Sequence, residues 1–138
     1  MWVRCAMTKV AGFLLATLPA LAFADASFTV TTDAPPVKAG QKGTAKVDVT
    51  PGAGFHLNKD YPTSLVLKEL PEGVTIDRLK QSAKDAAKLG EREAEFQVPF
   101  TASTPGKKRV SGELKFAVCS ATSCDPKKET ITLTIDVR

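Results

Sequence analysis

T-I-T-L-T-I-D-V, residues 130–137, decides the fold. Ile131, Leu133, Ile135 and Val137 occupy every second position, and three threonines and an aspartate fill the positions between. A period of two sends successive side chains to opposite faces of an extended chain. The stretch is therefore a strand with one face buried and the other in water.

The same period recurs upstream. S-F-T-V-T-T (27–32) is a first strand, stopped by Asp33 and Pro35-Pro36. G-T-A-K-V-D-V-T (43–50) sets Ala45, Val47 and Val49 against Lys46 and Asp48, and Pro51-Gly52 ends it. S-L-V-L-K-E-L (64–70) and a short V-T-I (74–76) are separated by the turn Pro71-Glu72-Gly73. A-E-F-Q-V-P-F (94–100) and K-R-V-S-G-E-L-K-F-A-V-C (108–119) alternate again. Pro99 lacks an N–H, so it needs a sheet edge or an open side of its strand. Segment 78–90 has helix-forming residues and few apolar ones, and reads as an exposed loop or helical turn. About seven short strands with turns between them predict an all-β, immunoglobulin-like antiparallel sandwich. An antibody-type domain is excluded: the single tryptophan is Trp2, and no cysteine pair is spaced to bridge the two sheets.

The start of the chain has another character. Arg4 and Lys9 precede an uncharged apolar run, Val10–Ala24, that ends in Ala22-Phe23-Ala24. This order of basic, apolar and small residues is that of a secretory signal peptide, residues 1–24, with an uncleaved anchor as the competing reading. The run falls short of the ~20 residues of a membrane span. No cysteine stands where a lipid anchor would need one. The domain is then 25–138. Cleavage removes two basic residues and Cys5, so the net charge falls from +4 to +2 and two cysteines remain. A charge this small, with lysines spread along the chain, gives no footing for nucleic acid or anionic lipid. The triplet Lys107-Lys108-Arg109 follows Pro105-Gly106 and reads as a solvated turn. An even cysteine pair in an exported chain points to a disulfide.

That pair lies in F-A-V-C-S-A-T-S-C-D-P, residues 116–126. The apolar face of 108–119 is the even set, so Cys119 falls on the other face. Extending the parity of 130–137 backwards sends Cys124 away from the core as well, unless Pro126 marks a bulge. Both thiols are expected on the outer surface at a hairpin tip. Closing a loop of about six residues stabilises by roughly 2 kcal/mol. Two readings stay open: a local staple, or an accessible disulfide that exchanges with other thiols. Lys115, Lys127 and Lys128 would activate a thiolate if they face it, and Asp125 would oppose them.

The lone histidine, His56, lies in G-A-G-F-H-L-N-K-D-Y-P (52–62) with Phe55, Asn58 and Tyr61. Beside the cysteines it would act as a base in thiol exchange. It would equally complete a Cys2His metal site, although three ligands are few and the mature chain has no methionine to add. Its bland reading is a loop histidine bonded to backbone.

Two segments carry a resemblance. F-A-V-C-S-A-T-S-C-D-P with its following strand, and G-F-H-L-N (54–58), are similar to the N-terminal periplasmic domain of the thiol:disulfide interchange protein DsbD. The spacing between the cysteines is one residue shorter here, and His56 and Asn58 stand where that family carries two tyrosines. The resemblance implies an immunoglobulin-like domain whose Cys119–Cys124 pair passes electrons to or from periplasmic or membrane thiol-disulfide proteins. It implies His56 as a polar support and Phe55, Asn58 and Tyr61 as a cap over the pair, with no cofactor and no metal. The chain would be a free-standing, periplasmic module with protein-disulfide reductase-type chemistry and no membrane span after the leader. The alternative is a non-enzymatic binding or assembly module with a structural disulfide.

Overall fold

The computed structural model describes residues 27–138, so the signal-peptide reading of 1–24 lies outside the described residues. Ten strands follow one another: β1 (Phe28–Asp33), β2 (Lys42–Pro51), β3 (His56–Leu57), β4 (Ser64–Glu69) and β5 (Val74–Thr75), then β6 (Lys80–Ser82), β7 (Lys88–Leu89), β8 (Ala94–Ala102), β9 (Gly106–Cys119) and β10 (Cys124–Val137). They form two antiparallel sheets. One has the order β1-β2-β8-β5, with β7 also on β8. The other has the order β10-β9-β4-β6, with β3 also on β9. This is the immunoglobulin-like sandwich that the alternation predicts.

The alternating apolar positions become the core. Ala45, Val47 and Val49 of β2 are fully buried, as are Phe96 and Val98 of β8. Val110, Leu114, Phe116 and Val118 of β9 face them, with Ile131, Leu133, Ile135 and Val137 of β10 alongside. Phe28 meets Phe116 edge to face, with ring centroids 5.0 Å apart, and so joins β1 to the opposite sheet. Each such Val, Leu, Ile or Phe side chain contributes about 1.5–3 kcal/mol when removed from water.

Gly112 interrupts the apolar series of β9 for a steric reason. A Cβ there would lie 2.9 Å from both the Val66 carbonyl oxygen and a Leu67 methyl. Strand β4 presses its backbone against β9 at this point, where its register shifts between Leu67 and Glu69.

Three short strands depart from the expectation. Segment 78–90 is no plain loop: β6 pairs with β4 in one sheet and β7 with β8 in the other. Between them, Ala83–Asp85 makes a single 3-10 turn. Ser82 donates from both its backbone N–H and its hydroxyl to the Asp85 carboxylate, which lowers that group's pKa. The segment thus carries the chain from one sheet to the other. Strand β3 was hidden because two residues cannot display a period. Strand β10 is also longer than its apolar part, because Cys124–Glu129 continues the ladder against β9 without a shift. Pro126 therefore makes no bulge; it lies on an outermost strand of its sheet, where a missing N–H is tolerated. Pro99 sits where β8 is open on one side, between the short partners β7 and β5. Among the described residues, no helix is long and apolar enough to cross a membrane.

Candidate functional site

Strand order, more than sequence distance, assembles the site. Cys119 is the last residue of β9 and Cys124 the first of β10, and the two are ladder partners. Their sulfurs are joined in a disulfide, with Cα atoms 4.0 Å apart. The four residues between them close a tight turn, in which the Ser120 N–H donates to the Ser123 carbonyl at 2.7 Å. The Ser120 hydroxyl accepts from the N–H groups of Thr122 and Ser123. This turn brings two cysteines five positions apart face to face.

On the other flank of β9, His56 is the ladder partner of Cys119. Directly opposed residues point to the same side of a sheet, with Cβ atoms about 4.5–5.5 Å apart. His56, Cys119 and Cys124 thus form one row across three strands. The segment that supplies His56 is tied down on both sides. The Leu57 N–H donates to the Glu91 carbonyl at 2.8 Å, and the Asn58 N–H to the Ala117 carbonyl at 3.0 Å. Arg92 donates to the Phe55 carbonyl at 2.7 Å. Gly54 makes the preceding bend with φ +79°, a conformation that side chains resist.

The outer-surface expectation for both cysteines holds only for Cys124. Cys119 is 3% exposed, yet it stands apart from the apolar core cluster. Its parity is as expected. Its burial comes from position: β9 is an inner strand, so Cys119 has a ladder neighbour on each side. Cys124 lies on the outermost strand and is exposed. His56 is exposed as well.

The expected activating lysines do not face the sulfurs. Lys127 and Asp125 lie on the opposite face of β10 and pair with each other at 2.7 Å. The Lys127 ammonium sits 5.8 Å from the centre of the Phe28 ring. Lys115 and Lys128 share the face of the disulfide but turn to Glu113, at 3.7 and 3.4 Å. Lys68 donates to the same carboxylate at 3.0 Å, which, with the other lysines, holds it below the usual carboxylate range. His56 is the titratable side chain that the ladder places in the disulfide's row.

The aromatic and amide residues frame this row from one side. Asn58 follows His56 by two positions and so belongs to the next row, beside Ala117 and Pro126. Its side-chain oxygen accepts from the Asp60 N–H at 3.0 Å and starts the turn that leads to Tyr61. Phe55 and Tyr61, both half-buried, bracket the segment at its two ends. A Cys2His metal site needs free thiolates, and in this state both sulfurs are bonded to each other.

No protein-family model matches this chain. No curated protein matches it either. Among solved structures, AggA, the major subunit of aggregative adherence fimbriae type I from Escherichia coli, is similar at 11% identity over 80% of this chain and 95% of that one, with a TM-score of 0.39. Domains 4 and 5 of the S-layer protein SbsC are similar at 17% identity over 79% of this chain and 44% of that one, with a TM-score of 0.36. PapD-like domain 7 of human CEP192 is similar at 11% identity over 93% and 96%, with a TM-score of 0.31. Likenesses this distant do not bear on what the chain binds or does.

Proposed function

We propose that the protein is an exported thiol-disulfide exchange module, similar in role to the N-terminal domain of DsbD, and that Cys119–Cys124 is its redox pair. One observation carries the reading. The disulfide joins an exposed cysteine on an outermost strand to a buried one whose ladder neighbour is a histidine. The two ends of the bond are therefore unequal. Export fits the same pair, since disulfides persist in oxidising compartments.

The chemistry follows from this inequality. A thiolate of a dithiol partner attacks the Cys124 sulfur from beyond the open edge of β10. A bond forms between the partner's sulfur and Cys124, the Cys119–Cys124 bond breaks, and its electron pair leaves on Cys119. His56 supplies or relays the proton that makes Cys119 a thiol. The partner's second thiolate then attacks the partner's own sulfur in the mixed disulfide and releases Cys124, which takes up a proton. Two electrons and two protons have passed to this domain, and the partner holds the disulfide. Run backwards, the same steps reduce a partner.

The second reading is a binding or assembly module with a purely structural bridge. It draws on the position of the bond, which closes a hairpin of two 14-residue strands at its tip. The reduction potential separates the two readings. Equilibration in glutathione buffers is expected to give a value above about −300 mV; a lower value marks a structural bridge and removes the exchange reading. Cys119→Ser, which leaves the exposed Cys124 thiol without its resolving partner, should accumulate a mixed disulfide with an oxidised dithiol protein. Cys124→Ser, which leaves the buried Cys119, should react with the same protein about tenfold more slowly or less. Equal trapping by both variants would contradict the assigned direction of attack.

A further inference from the structure

The face of the sheet that carries the disulfide also carries an unbalanced charge. Lys115 and Lys128 are directly opposed ladder partners. Like charges so placed destabilise a sheet. Lys68 joins them, and the three share one carboxylate, Glu113, at 3.0–3.7 Å. Lys80 lies in Glu113's own row, with Val66 between them. Three lysines thus meet one carboxylate, with a fourth further along its row, and Lys68, Lys80, Lys115 and Lys128 are all exposed. Glu113 is shared among three of them, and Glu69, opposite Ser111 in the next row, is a further carboxylate on this face, so lysines remain in excess.

The outer face of the other sheet mixes both signs: Lys46 pairs with Glu95 at 4.0 Å and Lys88 with Glu93 at 3.7 Å. Asp48 and Glu95 are directly opposed there, and Glu93 brings a third carboxylate within 4.8 Å of both. The paired lysines 115 and 128 are two ladder rows from Cys119–Cys124, about 13 Å along the strands at ~3.3 Å per residue. The row between them holds Asn58, Ala117 and Pro126, which bring no charge and no long side chain.

We propose that this lysine-rich face docks an acidic protein surface that presents the exchanging thiols, and so selects the partner whose thiolate reaches Cys124. The proposal rests on the exchange reading above and adds the chemistry of the partner. An acidic surface about 13 Å from the partner's reactive cysteine would meet Lys115 and Lys128 as its thiolate meets Cys124. Opposite charge arranged this way raises encounter rates and excludes partners of like charge.

The test uses three synthetic peptides that share one Cys-Gly-Pro-Cys dithiol and differ only in flanking residues: four glutamates, four glutamines or four lysines. Rates of reduction of Cys119–Cys124 are measured at about 10 mM ionic strength, where the screening length is ~30 Å. The glutamate peptide should react about tenfold or more faster than the lysine peptide, and 0.5 M salt should abolish the difference. Lys115→Glu with Lys128→Glu should reverse the order of the peptides, and Lys115→Gln with Lys128→Gln should level it. At 0.5 M salt, where the charge of the attacking thiolate is screened, both variants should leave the rate with dithiothreitol unchanged. Normal exchange with dithiothreitol but equal rates for the three peptides would overturn the docking proposal and leave the exchange reading standing. No exchange with dithiothreitol would remove the exchange reading itself, and the docking proposal with it. Tight binding to vesicles containing anionic phospholipid, with no preference among the peptides, would assign the face to a membrane surface and overturn the proposal too.

Discussion

His56 and Cys119 are ladder partners on β3 and β9, 63 positions apart in the chain and side by side in the sheet. The bonded cysteine, Cys124, occupies the opposite flank. A leaving thiolate at Cys119 would thus emerge beside an imidazole.

From this adjacency, His56→Gln should slow disulfide reduction by roughly tenfold while leaving the fold intact, since His56 is exposed. The pH–rate profile is the decisive readout: the variant should lose an inflection that the native protein shows. A rate and profile identical to the native protein's would remove His56 from the mechanism. A merely structural role would lower the unfolding midpoint without changing the profile.

Gly112→Ala should destabilise the domain by about 1–3 kcal/mol, because the added methyl meets the Val66 carbonyl and Leu67 at 2.9 Å. Urea unfolding measures it. The variant should also loosen β4 against β9 while leaving β2 against β8 unchanged, which amide hydrogen exchange resolves strand by strand. A substitution without cost would mean that β4 is free to move away.

Asp48 and Glu95 give a pH dependence of defined sign. Burial first, then the charges of Glu95 and Glu93, push the Asp48 carboxyl above the usual carboxylate range. One of its oxygens is buried without a hydrogen-bond partner. The folded protein thus holds this proton more tightly than the unfolded chain, so the site's contribution to stability is lost as pH rises through the raised pKa. Asp48→Asn should therefore stabilise the protein at pH 7, by about 0.2–1 kcal/mol, with a smaller gain near pH 3. Urea midpoints at the two pH values check this. A loss of stability at pH 7 would show that Asp48 is used as an anion.

The long strands were legible because their signal is local. In 43–50, 94–100 and 130–137 every second residue is apolar, and each of these positions is buried. The site was only partly legible. The parity of 108–119 correctly places Cys119 off the core face, and nothing in its neighbourhood says that it is covered. Strands β3, β6 and β7 are two or three residues long, too short for any period to show. Lys127 and Lys128 sit close to Cys124 in sequence, but one lies on the opposite face and pairs with Asp125, and the other turns to Glu113.

The sequence by itself determined which residues alternate, and hence two sheets, a shared core and a cysteine pair at a hairpin tip. These follow from the period of the backbone and the aversion of apolar side chains to water. The tertiary structure alone decided which strand lies inside a sheet and which at its border. That choice buries Cys119, exposes Cys124 and sets His56 beside the pair. It depends on pairing between segments some sixty residues apart, and no local pattern encodes which distant segment will lie on which flank.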